Sequence, residues 1–354
     1  MKNVLFLSAL LGLSVACAST PEPTETAPIE QQTSAEKPES TTPAKGLDAR
    51  LSTYEYPYAV KWFKAEHEGQ ELEIAYMDES PQTTPKGVVL LLHGKNFSGA
   101  YWEKTMAHLL DEGWRVIAPD QVGFGKSTKP TTITYSFELM ASITKSLLDE
   151  LGVKSTSVMG HSMGGMLATR FALSYPETTQ KLIMVNPIGL EDWHQRGVPM
   201  IPLEDWETNE AKRSPESIKT YMSNAYFDGS WKPEYDSLLD IQAGWATGPD
   251  RELMGKIGAL TSVMVFTQPV VHDFPKVESP TLLIIGQRDK TAIGKALAPP
   301  EVAEKLGNYP ELGRAAAAAI PKSKLVEIEG VGHVPQLEAW DVYIGAVDEF
   351  LLAN

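Results

Sequence analysis

A serine, an aspartate and a histidine follow one another along this chain, each within three residues of a glycine, and together they have the residue types for nucleophilic catalysis. Ser162 sits in Ser157-Val158-Met159-Gly160-His161-Ser162-Met163-Gly164-Gly165-Met166, between a short apolar run and a helix-forming stretch. Glycine permits sharp turns, so taken alone Ser162 is equally a small residue in a glycine-rich turn. A serine hydroxyl becomes a useful nucleophile only when a base removes its proton and a third group orients that base. His333, in Gly330-Val331-Gly332-His333-Val334-Pro335, follows the last apolar run and is either that base or a surface-loop histidine. Asp289 closes Ile284-Ile285-Gly286-Gln287-Arg288-Asp289 and is the acid expected at the end of the preceding strand. The order serine, acid, histidine is the one expected when such a serine stands on a strand-turn-helix elbow.

The oxyanion formed by attack on a carbonyl needs two donors. By position these are the backbone N–H of Met163, opening the helix after the serine, and that of Lys95, in His93-Gly94-Lys95-Asn96-Phe97. Loss of one such donor lowers the rate by on the order of 10²-fold. Because the backbone supplies the donor, the Lys95 side chain is expected to point to solvent, and His93 to brace the loop.

Elements must place these groups together. Gly87–Gly94, Trp114–Asp120, Thr156–Met159, Lys181–Asn186, Thr281–Ile285 and Lys324–Glu329 read as strands, mostly continuous apolar runs of the kind buried on both faces of a parallel sheet. Glu71–Met77 alternates as a half-buried strand does. Helical stretches lie between them, at 101–110, 136–151, 164–175 and 340–352. This alternation predicts an α/β fold with a mostly parallel sheet and helices on both faces. Residues 187–279 break the pattern, with helical segments near 214–226, 233–246 and 251–266 and many aromatic residues, and read as an inserted helical cap. Most of those aromatics are expected to pack cap against core, with one or two lining a pocket.

HGKNFSGAYW (93–102), APDQVGFGKS (118–127), GHSMGG (160–165), GQRD (286–289) and GVGH (330–333), in this order, resemble the α/β-hydrolase superfamily in its capped branch. The resemblance covers residue 56 to the C-terminus. It implies a Ser162-Asp289-His333 triad, acyl-enzyme chemistry without a cofactor or metal, and a structural loop built on Asp120, Gly123, Gly125 and Ser127. Serine at the nucleophile position sets aside the aspartate-using dehalogenases and epoxide hydrolases of this fold. Hydrolysis of a small-molecule carboxylic ester is the expected activity. The competing expectations are a carbon–carbon hydrolase of the meta-cleavage type and a non-catalytic binding lipoprotein. The stretch 291–310 is longer than the usual connection after the acid and is expected to reshape the pocket entrance.

The N-terminal residues carry one lysine, an apolar run from Val4 to Val15 and then small residues, the pattern of a secretory signal peptide. Leu13-Ser14-Val15-Ala16-Cys17 resembles a bacterial lipobox, which implies lipid attachment at Cys17 and, with Ala18 next, anchoring to the outer membrane; the alternative is ordinary cleavage beside an incidental cysteine. Residues 1–17 are thus assigned to the signal, 18–53 to a Pro/Thr/Glu-rich disordered tether, 54–186 and 280–354 to the α/β core and 187–279 to the cap. The chain has 354 residues, 42% hydrophobic, with a formal net charge of -15, which argues against nucleic acid as a partner.

Overall fold

Strands with both faces apolar can be satisfied only in the middle of a sheet, and the computed structural model, which describes residues 46–353, puts them there. Eight strands form one sheet: β1 (Lys61–His67), β2 (Gln70–Glu79), β3 (Val88–Leu92), β4 (Arg115–Pro119), β5 (Thr156–His161), β6 (Thr179–Val185), β7 (Thr281–Gly286) and β8 (Ser323–Ile328). Their spatial order is β1-β2-β4-β3-β5-β6-β7-β8. The pairs β1–β2 and β2–β4 are antiparallel, and all others are parallel. Every residue of β5 and β7 is buried, as central parallel strands require. β1 was not expected from the sequence. It is an edge strand with Phe63 as its one buried residue, so it lacks an apolar rhythm to read.

The helices are α1 (Glu103–Asp111), α2 (Phe137–Glu150), α3 (Met163–Ser174), α4 (Leu203–Ala211), α5 (Pro215–Tyr226), α6 (Asp240–Thr247), α7 (Arg251–Thr267), α8 (Pro300–Ala303), α9 (Tyr309–Ala319), α10 (Pro335–Glu338) and α11 (Trp340–Leu352). Local chemistry sets several of their starts. Ser136 caps α2 by accepting from Leu139 N–H, and Ser214, just before Pro215, forms a reciprocal capping box with Ser217 in the first turn of α5. Between β6 and β7 the chain is helical and irregular, with α4 to α7 forming the inserted cap.

The folded part begins earlier than residue 54. Leu47, Ala49 and Leu51 are buried against Ile241, Trp245 and Met254 of the cap, and Leu47 N–H donates to the Gly244 carbonyl at 2.9 Å. Residues 46–53 therefore belong to the body and not to a tether. Three apolar side chains spaced by polar ones do not announce a core in sequence; only the cap surface makes burying them favourable. The signal peptide, Cys17 and the tether to residue 45 lie outside the described residues. No helix among the described residues is long and apolar enough to cross a membrane.

Candidate active site

Ser162 stands between the end of β5 and the start of α3, with φ 58° and ψ -122°. A non-glycine residue there stores on the order of 1–3 kcal/mol of strain. The turn is tight because backbone crosses backbone. A Cβ on Gly160 would meet the Gly164 carbonyl oxygen at 2.0 Å, and one on Gly164 would meet that of Leu92 at 2.1 Å. The two glycines flanking the serine by two residues are thus steric necessities, and the strain at Ser162 holds its side chain out of the helix. Its hydroxyl makes no hydrogen bond to another described group and lines a cavity of about 1120 Å³.

Asp289 and His333 meet at the carboxyl ends of β7 and β8. His333 Nδ1 lies 2.5 Å from Asp289 Oδ2, and both side chains are fully buried. Asp289 is pinned from two further sides: Thr291 N–H donates to its Oδ1 at 2.8 Å and Asn186 Nδ2 to its Oδ2 at 2.9 Å. Asn186 Oδ1 in turn accepts from Gly286 N–H, so one buried amide ties β6 to the acid-bearing turn. With Nδ1–H given to the aspartate, Nε2 is the nitrogen left to accept a proton, and it is buried with no hydrogen-bond partner. A Tyr226 ring packs 4.3 Å from the His333 ring and lines the same cavity as Ser162. No Ser162–His333 hydrogen bond is formed; such bonds often tighten only when substrate is bound.

A second chain of contacts, invisible in the sequence, runs from the loop after β3 to the loop after β8. Gly94 N–H donates to the Tyr101 hydroxyl at 3.2 Å, Tyr101 Oη lies 3.0 Å from His161 Nδ1, and His161 Nε2 lies 2.8 Å from the His333 carbonyl. That carbonyl can only accept, so His161 carries its proton on Nε2 and accepts from Tyr101. Burial, followed by the neighbouring His333, holds the His161 imidazole well below its ordinary pKa, so it stays neutral. His93 braces the loop as expected: its Nε2 accepts from Gln121 N–H at 2.9 Å and its Nδ1 faces the Gly94 carbonyl at 2.8 Å. The backbone N–H groups of Lys95 and Met163 have no acceptor among the described residues. Asp120 is structural too, accepting from Gly99 N–H, Lys126 N–H and the Tyr56 hydroxyl.

The Lys95 side chain does not reach solvent. It is only 10% exposed, and its ammonium lies 3.5 Å from Glu210 Oε1 in α4. The cap folds over the loop and supplies a carboxylate, which a reading of the loop alone cannot anticipate. Burial pulls the lysine pKa down, and Glu210 opposes this. For Glu210, burial alone would raise the pKa, but Lys95 and Arg213 outweigh it and the carboxylate is stabilised. Of the cap aromatics, Trp206, Tyr221 and Tyr226 line the cavity, whereas Phe227 and Tyr235 stack on each other at 3.9 Å. Thr291 to Leu297, the first part of the long connection, form another stretch of its wall. Among the described residues no group of three or more His, Cys, Asp or Glu side chains is placed to share a metal ion.

Residues 87–339 match the family described as alpha/beta hydrolase fold, and the chain belongs to that family. With its mostly parallel sheet and flanking helices, it is a hydrolase of the α/β class. In particular, it is 46% identical to a probable hydrolytic enzyme of Pseudomonas aeruginosa PAO1, covering 88% of this chain and 100% of the other at a TM-score of 0.86. It is 28% identical to a 2-hydroxy-6-oxononadienedioate/2-hydroxy-6-oxononatrienedioate hydrolase of Burkholderia vietnamiensis, over 65% of this chain and 79% of that protein. Lipase 1 of Psychrobacter immobilis is also 28% identical, over 72% of this chain and 73% of its own length.

Proposed function

We propose that this hydrolase cleaves carboxylic esters of small molecules through an acyl-enzyme on Ser162. The observation that carries the reading is His333, buried with Nδ1 on Asp289 and Nε2 free, beneath a cavity that Ser162 lines. His333 Nε2 takes the Ser162 proton as Oγ bonds to the carbonyl carbon, and Asp289 stabilises the imidazolium. The N–H groups of Lys95 and Met163 receive the oxyanion. Collapse returns the proton to the leaving alcohol. Water, deprotonated by His333, then attacks the acyl carbon and releases the acid and the free serine.

Esters are favoured because an alkoxide leaves more readily than an amide nitrogen or a carbanion and needs no special protonation. The likeness to a dienedioate hydrolase supports a second reading, carbon–carbon cleavage at the same serine. A panel of short and medium alkyl esters against a 2-hydroxy-6-oxodienoate separates the two: cleavage of the dienoate alone overturns the ester reading. A fluorophosphonate probe that fails to label Ser162 in folded protein overturns both and leaves a binding role. From the sequence we also propose export and lipid anchoring at Cys17 to a bacterial outer membrane. Lipid labelling and membrane retention unchanged in Cys17→Ser contradict the anchor.

A further inference from the structure

The cavity beside Ser162 has the opposite electrostatic character from the protein that holds it. The chain carries a formal net charge of -15. The cavity wall, however, carries five basic side chains against two acidic ones, a local excess of 5 − 2 = 3 positive charges. A cleft of one sign raises the local concentration of ligands of the other.

Within the wall, the charges are organised around Lys95. Glu210 has both oxygens occupied: Oε1 faces Lys95 Nζ at 3.5 Å and Ser262 Oγ at 3.4 Å, and Oε2 accepts from Arg213 Nη1 at 3.2 Å. Arg213 spends its other terminal nitrogen on Gln242 Oε1 at 2.7 Å. Lys95 is different. Its ammonium has three N–H groups, and its two acceptors, Glu210 Oε1 and Asn96 Oδ1, both stand at 3.5 Å, the outer limit of a hydrogen bond. Nine-tenths of the side chain is buried while the residue lines the cavity, so the unsatisfied N–H groups can be completed by a ligand held there. Two cations around one carboxylate also leave the cluster with one net positive charge.

We propose that this cluster is a substrate subsite for a free carboxylate, so that the favoured esters are hemi-esters of dicarboxylic acids. The inference rests on the ester-hydrolase reading and names its substrate class. A single carboxylate matches the single net charge, whereas a phosphate dianion would face Glu210 with charge to spare. Lys95 offers its backbone N–H to the oxyanion and its side chain to the carboxylate. The two substrate groups are therefore separated by no more than the reach of one lysine side chain, which points to a short acid.

The test compares kcat/KM for monomethyl adipate with that for methyl hexanoate, followed by acid release, in the full chain. The wild type is expected to prefer the hemi-ester. Lys95→Met is expected to lower the hemi-ester-to-neutral ratio on the order of 10- to 100-fold, the range for a hydrogen bond to a charged group, with the change mainly in KM. Glu210→Gln removes the competing anion and is expected to raise the ratio. Free adipate is expected to slow fluorophosphonate labelling of wild-type Ser162 more than hexanoate does, a readout that needs no variant to fold. A ratio at or below one, a ratio unchanged in Lys95→Met, or equal protection by the two acids overturns the subsite while leaving ester hydrolysis intact. Absence of labelling and of hydrolysis of either ester overturns the ester reading, and this inference with it.

Discussion

Replacing Asn186 by aspartate changes almost no volume and puts a second carboxyl beside Asp289, which is already held by three hydrogen bonds. Asn186 is fully buried and donates to Asp289 Oδ2 at 2.9 Å while accepting from Gly286 N–H. An aspartate keeps the acceptor for Gly286. Ionised, it turns a hydrogen bond into two like charges at about 2.9 Å. At an effective dielectric of about 20 their repulsion is 332/(20 × 2.9), roughly 6 kcal/mol, or about four pKa units at 1.36 kcal/mol each. The pair therefore retains one proton past neutrality, and that proton substitutes for the lost amide N–H. The sign follows: the raised folded pKa makes native Asn186→Asp protein hold a proton that the unfolded chain releases near pH 4. Its stability relative to wild type should be nearly intact in mild acid, then fall by about 1.4 kcal/mol per pH unit as pH rises, levelling above the folded pKa. Urea unfolding of both proteins at intervals from pH 4.5 to 9 measures this directly. Hydrolytic activity should survive in the variant near pH 6 and fade at higher pH faster than in wild type. Parallel stability profiles for the two proteins across that range would refute the reasoning, because they would mean that no proton is shared.

Two further outcomes are expected. Ser162→Gly should abolish fluorophosphonate labelling and ester turnover yet raise stability by about 1–2 kcal/mol, because glycine adopts φ 58°, ψ -122° without the Cβ strain; a variant less stable than wild type in thermal melts contradicts stored strain at the turn. Burial lowers the pKa of His93 as well as His161, so the unfolded chain protonates first and stability is lost as pH falls below about 6.5. Each ring contributes about 1.4 kcal/mol per pH unit to that loss, so His93→Gln, which removes one titration, should show a slope shallower by about that amount, and an unchanged slope contradicts a neutral buried His93.

Ser162, Asp289 and His333 stand out in the sequence because each lies near glycine at the end of an apolar run, and the structure brings Asp289 and His333 into contact. Gly160 is demanded by the Gly164 carbonyl within the same turn, whereas Gly164 is demanded by the Leu92 carbonyl of β3, a contact that the local sequence does not show; the strands themselves are marked by their apolar runs. The supporting residues carry no such marks. Asn186 is one polar residue after a strand, and its value lies in a partner 103 positions away. Tyr101 and His161 form a relay only because the loop after β3, the serine elbow and the loop after β8 converge at one sheet edge. β1 and residues 46–53 were missed for the related reason that an edge strand and a docked segment take their burial from distant surfaces.

The amino-acid order alone marks the sheet's buried strands and the glycine-flanked turn, and singles out Ser162, Asp289 and His333 as the proposed nucleophile, acid and base, because strand burial and turn conformation act over a few residues. Which nitrogen of each histidine holds a proton, how Asp289 is pinned, and the cationic character of the cavity are decided only by the tertiary structure. Hydrogen bonds and charge pairs act over a few ångströms of space whatever the distance along the chain. Lys95 shows the difference most clearly: as a loop residue it reads as a solvent-facing lysine, and only the cap helix carrying Glu210 turns it inward beside the serine.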